Sequence, residues 1–367
     1  MIYAPTVLSL VSALLVFKVS VKLLYEVSII RPLIIFLLVV LHCFAPTVGA
    51  WPAPEGIGAI SLYYWLCQLI QGFRIETIAL IAGYVFCFQS IVLGRKYSFG
   101  NFVWKKFKRL IVPCLVFSGL YYFMFIYEQA TFSFTDFLLT ILSGADHLWF
   151  LPMLFWCFMF IWVIDRYQIS SWWLFVVLCV ASIYPLPVYI PLGIHRLPHF
   201  LFYVYLGYIL YKYKDYIISR WLKWRNIAVL WLLYIAIVVV YVMFILPNVD
   251  NSEQVSWSLK FLWYGLKGVS NLLSSCSGIM ALYLTVMMFV NSPSYQPAQW
   301  VLELSKVCYG VYIFHQFILM WLYYHTNSPI YLGSWLLPWV GLVISLVGAY
   351  LLTRLFLRTR AGRWLLG

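Results

Sequence analysis

The segment Arg31–His42, RPLIIFLLVVLH, decides the fold. An arginine opens it, a histidine closes it, and ten residues without charge lie between. On a helix rising ~1.5 Å per residue, His42 lies ~16 Å beyond Arg31. A bilayer's hydrocarbon core is ~30 Å thick. With Arg31 at one face, His42 falls near the midplane, where an ionisable residue is costly and marks a functional site.

The rest of the chain supports a membrane setting. It is 65% hydrophobic, 20% aromatic and only 10% charged, more apolar surface than a soluble chain of 367 residues can hide. The expected fold is all-α, a polytopic integral membrane helical bundle. After Arg31–His42, spans are expected at about 74–93, 111–127, 148–164, 172–184, 199–211, 226–246, 267–290, 307–325 and 335–356. That makes a ten-helix core. Residues 7–24 supply an extra N-terminal helix, spanning or lying on the surface, so the chain divides into 1–26 and a membrane domain, 27–367. Pro32 suits the first turn of its helix, after a short link containing Glu26. Residues 46–72 read as a loop and an interfacial helix.

Charge orients the stack. Alternating the spans puts all of the 24 basic residues except Arg74, Arg196, Lys260 and Lys267 on one side. That side is expected to be cytoplasmic. The net charge of +13 is read as basic loops and not as a nucleic-acid footprint. The eight cysteines form no CxxC pair, sit mostly in apolar runs and read as small core residues. The N-terminus has no basic region and no small-residue cleavage site, so no removable signal peptide is expected.

Depth then sorts the polar residues. His42 and His315 lie near the midplane. Arg74, Glu76, Asp146, His147, His195, Arg196 and His199 lie towards the outer face, and together they suggest a polar cavity reaching inwards. Each has a plainer reading. His42 is a general base, since a neutral imidazole can accept a proton, or a core histidine bonded to a neighbouring helix. Arg31 is also a positive-inside anchor. For His315, a structural hydrogen bond is favoured over catalysis. Glu76 pairs with Arg74 or touches substrate. In the basic loop, Lys105, Lys106 and Arg109 could cradle an anionic cofactor such as the phosphates of coenzyme A, although topology and anionic lipid also explain them. No Walker or dinucleotide glycine pattern, no G-x-S-x-G and no metal-ligand spacing occurs, so no metal is expected.

Five motifs resemble the membrane acyltransferase-3 family. They are the R-x10-H frame of Arg31 and His42, AGYVF (Ala82–Phe86), KKFKRLIVP (Lys105–Pro113), HLWFLP (His147–Pro152) and YGVYIFHQ (Tyr309–Gln316). They follow the family's order between about residues 27 and 356. Ala82 stands where the family's pattern has serine, so no hydroxyl role carries over. The resemblance implies an O-acyltransferase that takes an acyl group, acetyl first, from cytoplasmic acyl-CoA. The acceptor would be an exported or lipid-linked glycan of a bacterial envelope, the protein lying in the inner membrane. His42 would be general base or acyl carrier, and Arg31 would help position the donor or stabilise charge; from their outer placement, not from the resemblance, Glu76, His147, Arg196 and His199 are expected to face the acceptor. The rival reading is a transporter or flippase for a lipid-linked glycan. Such proteins often carry internal repeats, and none is visible. A structural partner in glycan assembly is a third.

Overall fold

A computed structural model describes residues 24–95, 97–128, 132–169, 171–184, 189–250, 256–292 and 294–366. The expected helix at 7–24 lies almost wholly outside the described residues. Those residues form helices and no strand. In chain order the helices are α1 (Tyr25–Val48), α2 (Ser61–Ile91), α3 (Phe99–Ile126), α4 (Phe134–Ser143), α5 (Asp146–Arg166), α6 (Trp172–Ile183), α7 (Leu197–Lys212), α8 (Lys214–Trp221), α9 (Trp224–Asp250), α10 (Trp257–Val290), α11 (Gln299–Tyr324), α12 (Ser328–Arg358) and α13 (Arg360–Leu366).

Eight of them, α1, α2, α3, α5 and α9 to α12, are long and apolar enough to cross a membrane. The chain is a multi-pass integral membrane protein. The two remaining expected spans, 172–184 and 199–211, correspond to α6 and α7. These are helices of 12 and 16 residues, shorter than the ~20 that cross a bilayer unaided. Helix α4 falls where the sequence reading left a connection.

The bundle is built around α1, which packs against α2, α10, α11 and α12. Helix α5 is central, with 72% of its most apolar window buried, whereas α9 has 22% and faces outward. Exposed Val229, Leu232 and Met243 on α9, and Val343, Val347 and Leu351 on α12, suit a lipid environment.

Two expectations near α1 are corrected. The helix starts at Tyr25, so Glu26 is helical and Pro32 lies inside it, beyond the first turn. A buried ion pair explains the earlier start. Glu26, 1% exposed, takes Lys214 Nζ at 2.9 Å and the Tyr84 hydroxyl at 2.6 Å, which fixes the first turn against α2 and α8.

The aromatic-rich stretch before residue 74 is helical from Ser61 and runs into the span across a break at Gly72–Phe73. A break inside a membrane frees backbone carbonyls, which need new donors. Here the Tyr234 hydroxyl donates to the Leu69 carbonyl at 2.5 Å, and the Ser275 hydroxyl to that of Gly72 at 2.7 Å. In α3, Pro113 has no N–H to offer the Arg109 carbonyl one turn earlier. The Tyr309 hydroxyl on α11 donates to it instead, at 2.7 Å. The helix widens to π geometry at Phe107–Ile111, the turn that carries Arg109.

Candidate functional site

His42 near the end of α1, His147 in the first turn of α5 and His315 in the middle of α11 come together. His42 Nδ1 lies 2.8 Å from His315 Nε2, with the rings 4° from parallel and 5.1 Å apart. The His147 ring is 5.1 Å from His315 and 6.3 Å from His42. Trp51 covers His42 at 5.6 Å. His315 is fully buried, while His42 is partly open.

The hydrogen bonds assign the protons. His315 Nδ1 faces the Val311 carbonyl at 3.0 Å. A carbonyl only accepts, so Nδ1 carries the hydrogen, and Nε2 of a neutral ring is then a lone pair. That lone pair faces His42 Nδ1, which must donate. The neutral His42 ring is left with its lone pair on Nε2, which has no protein partner among the described residues. By the same logic His147 Nε2 donates to the Ile313 carbonyl at 3.2 Å, and its Nδ1 is buried without a partner. His42 is thus oriented as a proton acceptor by a second histidine, which is held by α11's own backbone.

The turn before α5 brings His147 in. Gly144 has φ +84°, and a Cβ there would meet the Leu148 backbone at 2.6 Å, so only glycine fits. The Ala145 N–H donates to the Ser118 hydroxyl at 2.9 Å. Asp146, at φ +47°, accepts from the Tyr121 hydroxyl at 2.9 Å and from the Gln316 amide. The Tyr312 hydroxyl donates to the His147 carbonyl at 2.5 Å. These anchors hold His147 against His42 and His315, a grouping the depth reading did not give.

At the end of the bundle that carries the basic loop, a cavity of about 550 Å³ opens between α1, α2, α3, α5 and α11. Arg31, Lys106, Arg109 and Lys306 line it, with no carboxylate in its wall. Lys306 pairs with Glu303, but Arg31, Lys106 and Arg109 form no ion pair among the described residues. Lys106 Nζ rests 3.3 Å over the Phe158 ring. The remaining wall is largely apolar, including Ile35, Ile78, Ile81 and Leu151, and it reaches Phe150 and Tyr312. Tyr312 is the residue that stacks edge-on against His147 at 5.3 Å. An anionic head and an apolar arm fit these walls. Lys105 is outside the cavity, its Nζ 3.9 Å over the Tyr97 ring.

The remaining expected residues lie elsewhere. Glu76 pairs with His199 at 3.4 Å, not with Arg74. His199 Nδ1 faces the Ser182 carbonyl at 3.1 Å, so both ring nitrogens point at oxygen acceptors. Arg196 stacks on Trp149 at 3.7 Å and its Nε donates to His195 Nε2 at 3.1 Å. Arg74, read from sequence as an outer polar residue and a possible partner for Glu76, has Nε and Nη1 buried with no hydrogen bond among the described residues. No group of three or more His, Cys, Asp or Glu residues with metal-binding geometry occurs among the described residues.

A family model described as an acyltransferase domain matches residues 24–354. No curated protein and no solved structure matches the chain. The matched range holds the histidine cluster, the Arg31 frame and nearly all of the basic cavity's wall. With most of its length so matched, the chain belongs to the membrane acyltransferase-3 family.

Proposed function

We propose that this membrane acyltransferase moves an acyl group, acetyl in the first instance, from cytoplasmic acyl-CoA to a hydroxyl of an exported or lipid-linked glycan. The observation that carries this reading is the free lone pair of His42 Nε2, backed by His315 and lying beyond the inner end of a cationic cavity. The basic side is taken as cytoplasmic because Lys and Arg accumulate there.

Arg31, Lys106 and Arg109 would hold the donor's phosphates, each with no competing carboxylate. The apolar wall would take the pantetheine arm and direct the thioester towards Tyr312 and the histidines. His42 Nε2 removes the proton of the acceptor hydroxyl as its oxygen attacks the thioester carbonyl. The C–S bond then breaks, the ester forms, and the departing coenzyme A thiolate takes from His42 the proton that came from the acceptor hydroxyl. Arg74, charged and with two unsatisfied N–H groups, would offset the negative charge that develops on the carbonyl oxygen.

The test is mass spectrometry of surface glycan in cells lacking the gene, complemented with wild type or His42→Ala at matched membrane levels. Wild type is expected to restore an acetyl-sized mass and His42→Ala not to. Restoration by both variants removes His42 from the chemistry. Unchanged acylation with altered glycan export would replace this reading with transport.

A further inference from the structure

A second cavity, of about 230 Å³, sits at the α2 break, at the other end of the bundle from the basic loop. Gln68, Gln71 and Glu76 of α2 face Lys267, Asn271 and Ser274 of α10 across it, with His199 beside Glu76. Three side-chain amides in one small cavity each offer both a donor and an acceptor. Glu76 adds a carboxylate to the wall, its side chain 16% exposed and its Oε1 3.4 Å from His199 Nε2.

The chemistry narrows the ligand. A phosphate or sulfate would meet the Glu76 carboxylate. A metal ion would need a set of His, Cys, Asp or Glu ligands that the described residues do not form. A lipid tail would leave every amide unsatisfied. A ring bearing several hydroxyls suits such a wall: its O–H groups can donate to the Glu76 carboxylate and the amide oxygens, and its oxygens accept from Lys267 and the amide N–H groups. The volume is on the scale of one such ring.

We infer that this cavity is a subsite for one neutral sugar ring of the acceptor, gripped by Glu76 and the α10 face of Lys267, Asn271 and Ser274. The inference rests on the reading of the chain as a glycan acyltransferase.

The test does not depend on turnover. Tyr241→Cys, and separately Val238→Cys, at two positions in the cavity wall outside the proposed grip, would be labelled with a small maleimide in membranes, with the native chain as background. Methyl glycosides of glucose, galactose, rhamnose and N-acetylglucosamine are the probes, against sulfate and acetate at equal concentration. At least one glycoside is expected to slow labelling about threefold or more, and adding Glu76→Gln is expected to cancel the protection. No protection by any glycoside at either position, or equal protection by sulfate, overturns the inference. Protection in a protein that transfers no acetyl group keeps the subsite and removes the acyltransfer reading. Transfer without protection removes the subsite alone.

Discussion

His42 Nδ1 and His315 Nε2 lie 2.8 Å apart across the contact of α1 and α11. The bond makes His315 an orienting group for His42, as a carboxylate often is for a catalytic histidine. His315→Ala leaves His42 free to rotate and to place its hydrogen on Nε2. We expect acyl transfer to fall about a hundredfold or more, the scale of a misplaced general base. His315→Gln retains an acceptor oxygen and is expected to keep more activity than His315→Ala. Initial rates of glycan acetylation at matched membrane levels decide the order. Equal rates for His315→Ala and wild type would sink the orienting role.

Arg31, Lys106 and Lys105 form a graded test of the basic cavity. Arg31 and Lys106 line it, and Lys105 does not. Arg31→Ala and Lys106→Ala are each expected to raise the KM for acetyl-CoA about tenfold, as for a lost charged hydrogen bond. Lys105→Ala is expected to change it less than about twofold, since an exposed cation–π contact is weak. A larger effect at Lys105 than at Lys106 would move the donor out of this cavity.

The contrast shows what the sequence carried. The Arg31–His42 spacing was legible because a helix has a fixed rise, whatever surrounds it. Lys105 and Lys106 were not separable, because side chains ~100° apart on a helix choose sides only by what packs nearby. That His147 meets His42 and His315 was not legible in the sequence. Its path depends on the Gly144–Asp146 turn and on Gln316, which lies 170 positions from Asp146. For Glu76 the sequence offered Arg74 or substrate as partner and did not show His199, which arrives from α7. Which helices are neighbours is a tertiary fact, and no local period records it. The Asp146–Gln316–Tyr121 anchor was missed for the same reason, although Gln316 in an apolar helix was a signal.

The buried Glu26–Lys214 pair predicts a non-additive stability pattern. Removing one partner strands the other charge, at a cost of about 3–5 kcal/mol. Lys214→Met is therefore expected to lower the thermal midpoint of the detergent-solubilised protein. Glu26→Gln with Lys214→Met is expected to recover most of the loss, since Tyr84 can still donate to the amide oxygen. Additive losses in the double variant would show that the pair carries no coupling. Acetyl-CoA binding should move little in either case, because neither residue lines the basic cavity.

Helices α2 and α7 meet through reciprocal glycines, and this contact predicts which small substitutions the bundle rejects. A Cβ on Gly83 would lie 1.8 Å from the Val204 carbonyl oxygen, and one on Gly207 would lie 1.9 Å from that of Leu80. Backbone cannot yield as a side-chain tip can, so even alanine must push the helices apart. Gly83→Ala and Gly207→Ala are each expected to destabilise by about 1–3 kcal/mol, the usual cost of overpacking. Gly119→Ala in α3 is the control, because nothing lies within 4 Å of its added Cβ. It is expected to be neutral or stabilising by up to about 1 kcal/mol, alanine being the better helix former. Thermal midpoints of the three variants separate close packing from helix propensity. The same contact holds Glu76 on α2 against His199 on α7, so Gly83→Ala should also weaken acceptor use before it affects the donor. A variant that lowers the midpoint yet leaves the acceptor KM unchanged would show that the α2–α7 contact serves stability alone.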